Sequence, residues 1–188
     1  MVRQAHLKSI ALFGGSFDPP HWAHRQVLEY LCGLPQFHEV WMVISFDHPF
    51  EKNLLPFDKR KEMCELTIAG LGEKVKISGI EGELSQSPSY MIDTVLELKK
   101  RNPDCRFVIV LGSDCKKELV QWRDIEKLKK EAEFFYIPRP GFNPSPFMNI
   151  SSTQIRQWVR ENKPYTKYLV PEVYEYIHMN RLYVQTRQ

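Results

Sequence analysis

The sequence predicts an α/β fold: a doubly wound parallel sheet of about five strands, with helices on both faces and a helical segment at the C-terminus. Three observations carry this expectation. Short, continuous apolar runs end at glycines or polar turns, as strands buried on both faces do. Amphipathic segments of helical period lie between them, and the two kinds alternate along 188 residues without an internal repeat.

The elements follow in order. Ser9 to Phe13 is the first strand, closed by Gly14 and Gly15, whose missing side chains permit close backbone approach and positive φ. Pro19 and Pro20 can open a helix but not continue one, so a helix is expected from about His21 to Cys32, with Val27, Leu28 and Leu31 on its buried stripe. Val40 to Ser45 is a second strand, and Phe46 to Phe57, rich in prolines and charges without a period, is a long loop. Asp58 is expected to cap a helix running to about Gly70, followed by a weaker third strand at Val75 to Ile80. Ser89 to Lys100 has Met91, Val95 and Leu98 at helical spacing. Phe107 to Leu111 is the most strand-like run, broken by Gly112-Ser113-Asp114. Helical segments at Lys116 to Lys130 and a strand at Phe134 to Ile137 come next. Ser151 and Gln154 then have the spacing of a capping box, and a last helix is expected from Pro171. The chain length suits a single domain over 1–188, with 146–188 as its C-terminal helical part.

Composition narrows the function. With 43% hydrophobic and 26% charged residues the chain is that of a globular domain rather than a disordered one. A net charge of +3 gives no global field for polyanions, so a nucleic-acid partner is not expected and phosphate affinity must come from a local pocket. Cys32, Cys64, Cys105 and Cys115 show no paired spacing and read as reduced thiols, while the short apolar N-terminal run fits neither a leader nor a membrane span. The expected compartment is the cytoplasm. No membrane partner is expected, and a homo-oligomer is compatible with the sequence.

In doubly wound sheets, ligands bind beyond the carboxyl ends of the strands, at the point where the winding reverses. For five strands in the usual order this point lies between the first and fourth, which are also the strands with the most glycine-marked exits, Gly14-Gly15 and Gly112. Two motifs bear on that place. Gly14-Gly15-Ser16-Phe17-Asp18-Pro19-Pro20-His21-Trp22-Ala23-His24 combines close backbone approach, a helix N-terminus and two histidines three apart, which together can cradle phosphate. The alternatives for the histidines are ordinary first-turn polar residues or two ligands of a zinc ion lacking an evident third. Ile150-Ser151-Ser152-Thr153-Gln154-Ile155-Arg156 sets three hydroxyls at a helix start, able to cap backbone donors or to meet phosphate, with the Arg156 fork one turn on. The P-loop and the G-x-G-x-x-G signature are both absent.

G-G-S-F-D-P-x-H-x-x-H near one end with I-S-S-T-x-I-R near the other resembles the nucleotidyltransferase superfamily of adenylyltransferases, whose fold is Rossmann-like. Within it the chain is most similar to the bacterial nicotinate or nicotinamide mononucleotide adenylyltransferases, through Ser89 to Thr94, Leu111 to Asp114, Trp122, Arg139-Pro140-Gly141, Tyr168 to Pro171 and Tyr176-Ile177. The resemblance implies transfer of AMP from ATP to the mononucleotide, with release of pyrophosphate and formation of the dinucleotide of NAD biosynthesis. ATP and the pyridine mononucleotide are then the partners, and Mg²⁺ rides on the ATP phosphates without a protein metal site.

The same resemblance implies residue roles. His21, His24 and Arg156 are the expected catalytic residues. Gly14, Gly15, Ser16, Phe17, Asp18, Gly112, Asp114, Ile137, Arg139, Ile150, Ser151, Ser152 and Thr153 are expected to bind ATP. Ser16, Lys52, Tyr90, Asp93, Thr94 and Trp122 are expected to bind the acceptor, with Trp122 stacked on the pyridine ring. Ala23 departs from the family's usual glycine, and His48-Pro49-Phe50-Glu51-Lys52 from its usual Pro-His-Lys. The competing readings are a pantetheine-phosphate adenylyltransferase, against which Trp122 and the Ser89 to Thr94 segment weigh, and a nucleotide-binding sensor, against which the intact histidines and Arg156 weigh.

Overall fold

The computed structural model describes residues 7–49, 53–138 and 144–184. Strands β1 (Lys8–Gly15), β2 (Glu39–Ile44), β3 (Val75–Ser78), β4 (Cys105–Gly112) and β5 (Glu133–Ile137) form one sheet in the order β3-β2-β1-β4-β5. Every pairing is parallel, with Ala11 opposite Val40 on one side and Val108 on the other. The winding reverses between β1 and β4, as the sequence predicts.

Side-chain alternation explains why both faces are covered. Ala11, Val40, Met42 and Val108 face α1 (Trp22–Gly33) and α2 (Phe57–Ile68), which supply Val27, Leu28, Leu31 and Cys64. Ile10, Leu12, Ile109 and Leu111 face α4 (Met91–Arg101) and α5 (Ile125–Glu131), which supply Ile92, Val95, Leu98 and Leu128. A third cluster joins Met63 of α2 to α6 (Ser152–Arg160) and α7 (Pro171–Met179) through Ile155, Val159, Val173 and Ile177, so the C-terminal helices pack on the α2 side. Among the described residues no helix is long and apolar enough to cross a membrane.

Four expectations need correction. β1 runs through Gly14 and Gly15, which pair with Val43 and Ile44, so the glycines belong to the strand and not to the turn after it. Neither has positive φ; that conformation falls on Phe17, at φ 50°. Asp58 does not cap α2: Pro56 occupies the N-cap position without a side-chain cap hydrogen bond, and Asp58 sits in the first turn, where its charge suits the helix dipole. The third strand stops at Ser78, because Gly79 turns the chain into a short helix, α3 (Ile80–Leu84), that the sequence did not announce.

At the amino edge of the sheet Glu39 gathers three donors. Lys8 and Lys76 approach one carboxylate oxygen at 2.5 and 2.6 Å, and the Trp41 indole N–H donates to the other at 2.6 Å. Burial works to raise the Glu39 pKa, but the hydrogen bonds from Lys76, Lys8 and Trp41 outweigh it and hold the group at about 2.

Candidate active site

The chain enters α1 through the turn that leaves β1. His21 is the N-cap residue in extended conformation, and its backbone N–H donates to His24 Nδ1 at 3.2 Å. The two imidazoles stack, with centroids 3.7 Å apart and planes 14° from parallel, and the edge of Phe17 meets His24 at 5.0 Å. His24 thus has its Nδ1 fixed as an acceptor, which leaves Nε2 as the ring's donor in the neutral form.

The start of α6 lies against this turn. The Ser152 hydroxyl donates to the Pro19 carbonyl at 2.8 Å, and Arg156 donates to the Asp18 carbonyl at 2.5 Å. The three hydroxyls of the late motif therefore have different tasks. Ser151 caps the helix, accepting from the Gln154 N–H at 3.2 Å; Ser152 ties the two motifs together; Thr153, exposed, accepts from Arg156 at 3.3 Å. Residues more than 130 positions apart are thereby joined at the carboxyl edge of β1.

Asp18 is the hub of the junction. Only 1% of its surface is exposed, and its carboxylate accepts from the Tyr183 hydroxyl at 2.6 Å and the Leu55 N–H at 3.3 Å, with Arg156 at 3.9 Å. Burial, followed by the adjacent Asp18 charge, pushes the Tyr183 hydroxyl well above its ordinary pKa, so it remains a donor. Beneath the same turn the buried Arg60 guanidinium donates to the carbonyls of Ser16, Ser45, Phe46 and Leu55, pinning the exits of β1 and β2 to the start of α2.

On the α4 side a cavity of about 240 Å³ opens at the carboxyl ends of β1 and β4. Gly14 and Gly15 line it, with Tyr90, Met91 and Trp122 as its larger walls. A methyl group on Gly14 would stand 3.0 Å from Met91 Cε, so the missing side chain keeps this space open. Glu81 closes one side, accepting from the Phe46 N–H at 3.1 Å and the Thr94 hydroxyl at 2.8 Å. Arg123 also lines it, with Asp93 at 3.8 Å.

The structure brings together most of the expected residues: the histidine turn with Asp18, Ser152, Thr153 and Arg156, and beside it Gly14, Gly15, Tyr90 and Trp122 around the cavity. Gly112 ends β4 at the same edge, opposite Ile137, and Asp114 follows in a short helical turn. Four residues do not present side chains there. Phe17, Ile137 and Ile150 are buried in apolar clusters, and Thr94 is buried with its hydroxyl donated to Glu81, so only the backbone of each could meet a ligand. Lys52 and Arg139 lie outside the described residues. Arg60, Glu81, Arg123 and Tyr183 escaped the sequence reading. Arg60 left a signal, since it occupies the same helical stripe as Met63, Cys64 and Thr67, where an arginine must be paid for by buried acceptors.

Comparison with known proteins bears on this geometry. The family described as cytidylyltransferase-like matches residues 12–158. The chain is 35% identical, over 94% of its own length and 97% of the relative's, to a protein of Anaeromyxobacter dehalogenans named "probable nicotinate-nucleotide adenylyltransferase". A protein of the same name from Bacillus licheniformis is also 35% identical, over 94% and 99%. Among solved structures, the nicotinic acid mononucleotide adenylyltransferase of Plasmodium falciparum complexed with NaAD superposes with a TM-score of 0.80 at 28% identity, covering 94% of this chain and 97% of that one. The same protein complexed with APC gives 0.79 at 27% identity.

Proposed function

We infer the function from one premise: the chain belongs to the cytidylyltransferase-like family. Within it, it is an adenylyltransferase of NAD biosynthesis that moves AMP from ATP to a pyridine mononucleotide and releases pyrophosphate, the acceptor being nicotinate mononucleotide by the names its relatives carry. One observation carries the reading from family to chemistry: two helix beginnings, at His21 and Ser151, are locked together at the strand exits, beside a cavity walled by Tyr90 and Trp122.

The chemistry needs few side chains. The acceptor phosphate is already a nucleophile at neutral pH; its oxygen attacks the α-phosphorus of ATP, the bond to the β-phosphate oxygen breaks, and the electron pair leaves with pyrophosphate. The protein's task is to align two anions and offset their repulsion. In this reading Gly14, Gly15 and Ser16 let the reacting phosphates approach the backbone. His24 donates through Nε2 to the phosphoryl oxygens, with His21 beside it. Thr153 and Arg156 meet the polyphosphate at the α6 N-terminus, where backbone dipoles favour negative charge. ATP enters as its Mg²⁺ complex, the metal belonging to the substrate. Asp114 faces the ribose, and Trp122 and Tyr90 flank the pyridinium, whose charge suits an aromatic face. The reaction belongs to the cytoplasm.

Two of the sequence-derived roles change. Ser152 becomes a tether, since its hydrogen is committed to Pro19, and Asp18 becomes the anchor of Arg156 rather than a nucleotide ligand. The test is pyrophosphate release and dinucleotide formation by the purified protein with MgATP and either mononucleotide. Turnover with phosphopantetheine alone, or ATP binding without any turnover, refutes the reading.

A further inference from the structure

We propose that Arg123 is a specificity-determining residue of the acceptor cavity, its guanidinium recognising a carboxylate on the pyridine ring and so favouring nicotinate over nicotinamide mononucleotide. The inference rests on the pyridine-nucleotide reading above.

Arg123 follows Trp122 directly, and both line the cavity with Tyr90. Its guanidinium carbon lies over the Tyr90 ring, 4.8 Å from the centre, a cation–π contact that keeps the charge at the cavity wall. Its charged neighbours stand off. Asp93 is 3.8 Å away and Asp124 3.9 Å, both beyond hydrogen-bond length, so among the described residues no carboxylate engages the fork in the bidentate manner it is built for. The side chain is 55% exposed, so it holds no buried structure together.

The other charges around the cavity decide what this fork is for. Glu81 and Glu118 line the same space, the first buried and bonded to Phe46 and Thr94. Their charges favour the pyridinium ring, which the acid and the amide share. They disfavour only the extra negative charge of the acid. The basic side chains on the cavity wall among the described residues are Arg123 and His48, and Arg123, the one lysine or arginine, carries the permanent charge able to reverse that penalty. A carboxylate offers it two charged acceptors, whereas a carboxamide offers one neutral acceptor and two hydrogens that an arginine cannot accept.

The experiment compares wild type, Arg123→Gln and Arg123→Lys by kcat/KM for the two mononucleotides at saturating MgATP, and by calorimetric Kd for each mononucleotide alone. In Arg123→Gln the acid-to-amide ratio is expected to fall by about 10- to 100-fold, the scale of one hydrogen bond to a charged group. Arg123→Lys keeps the charge without the fork and should retain part of the preference. An unchanged ratio in Arg123→Gln, or equal losses with both acceptors, overturns the inference, as does a wild type that turns over both without preferring the acid. A wild type that turns over neither acceptor refutes the parent reading instead.

Discussion

Replacing His24 with alanine separates catalysis from folding. In the proposed mechanism the imidazole does two things at once: Nδ1 accepts the His21 backbone N–H at the start of α1, and Nε2 donates toward the substrate phosphates. Losing one donor aimed at developing oxyanion charge typically costs about 2.7–4 kcal/mol of transition-state stabilisation, a fall in kcat of about 10² to 10³. Losing the acceptor at the helix start costs about 1 kcal/mol of stability, and for a chain of this size that lowers Tm by about 2–4 °C. The stacking on His21 at 3.7 Å and the edge contact with Phe17 at 5.0 Å disappear too, so the stability loss should not be smaller. Steady-state pyrophosphate release gives the first quantity and thermal unfolding followed by circular dichroism the second. The expected outcome is a folded protein, slightly less stable, whose kcat collapses while KM for ATP moves little, because the lost interaction is made chiefly in the transition state. If activity per folded molecule stays near wild type while Tm drops, His24 is a capping residue and the mechanistic assignment is wrong.

Three further outcomes are expected. Ser151→Ala should cost about 1 kcal/mol in urea unfolding with little effect on ATP affinity, whereas Thr153→Ala should weaken ATP binding and leave stability near wild type; the opposite pattern would exchange their roles. Tyr183→Phe removes the donor to a buried carboxylate and should destabilise by about 1.5 kcal/mol or more, with a raised KM for ATP because Arg156 is anchored on the same Asp18; an unfolding midpoint equal to wild type would show that the bond adds nothing. Glu39 sits at about 2 in the fold and at about 4.3 in an unfolded chain, so its stabilising effect is complete above the unfolded value and fades as pH falls through the folded one. Urea midpoints of wild type and Glu39→Gln should therefore differ near neutral pH and converge as the pH approaches 2, and a difference that persists at the acid end would contradict the pairing.

What the sequence revealed depended on how local the cause was. The sheet order was legible because each strand is an apolar run with its own crossover, and helix starts such as Ser151 because a cap acts over three residues. The convergence of His21 and Arg156 was legible only as two motifs meeting at one topological switch point. α3 was not, because Gly79 and Gly82 dilute a five-residue segment whose helicity comes from packing, with Ile80 and Glu81 buried. Phe17 was misjudged for a related reason. Gly14 and Gly15, three and two residues before it, make positive φ look like a glycine's task, yet burial of the phenylalanine ring in the core overrides the local preference. The family resemblance implies substrate contacts for Thr94 and Ile137, but α4 turns the Thr94 hydroxyl to Glu81 and β5 buries the Ile137 side chain. Arg60 and Tyr183 act through partners up to 165 positions away, a separation at which residue spacing says nothing.

The bond from Tyr183 to Asp18 has a meaning for biosynthesis. A ribosome releases the glycine-rich turn and both histidines early, and the parallel strands can begin to pair while most of the C-terminal helices are still inside the tunnel. The carboxylate at the heart of that turn nevertheless waits for an aromatic hydroxyl encoded 165 codons later. Until the segment just past α7 docks, that buried carboxylate lacks its hydroxyl donor, although Arg156 can already bond the Asp18 carbonyl beside it.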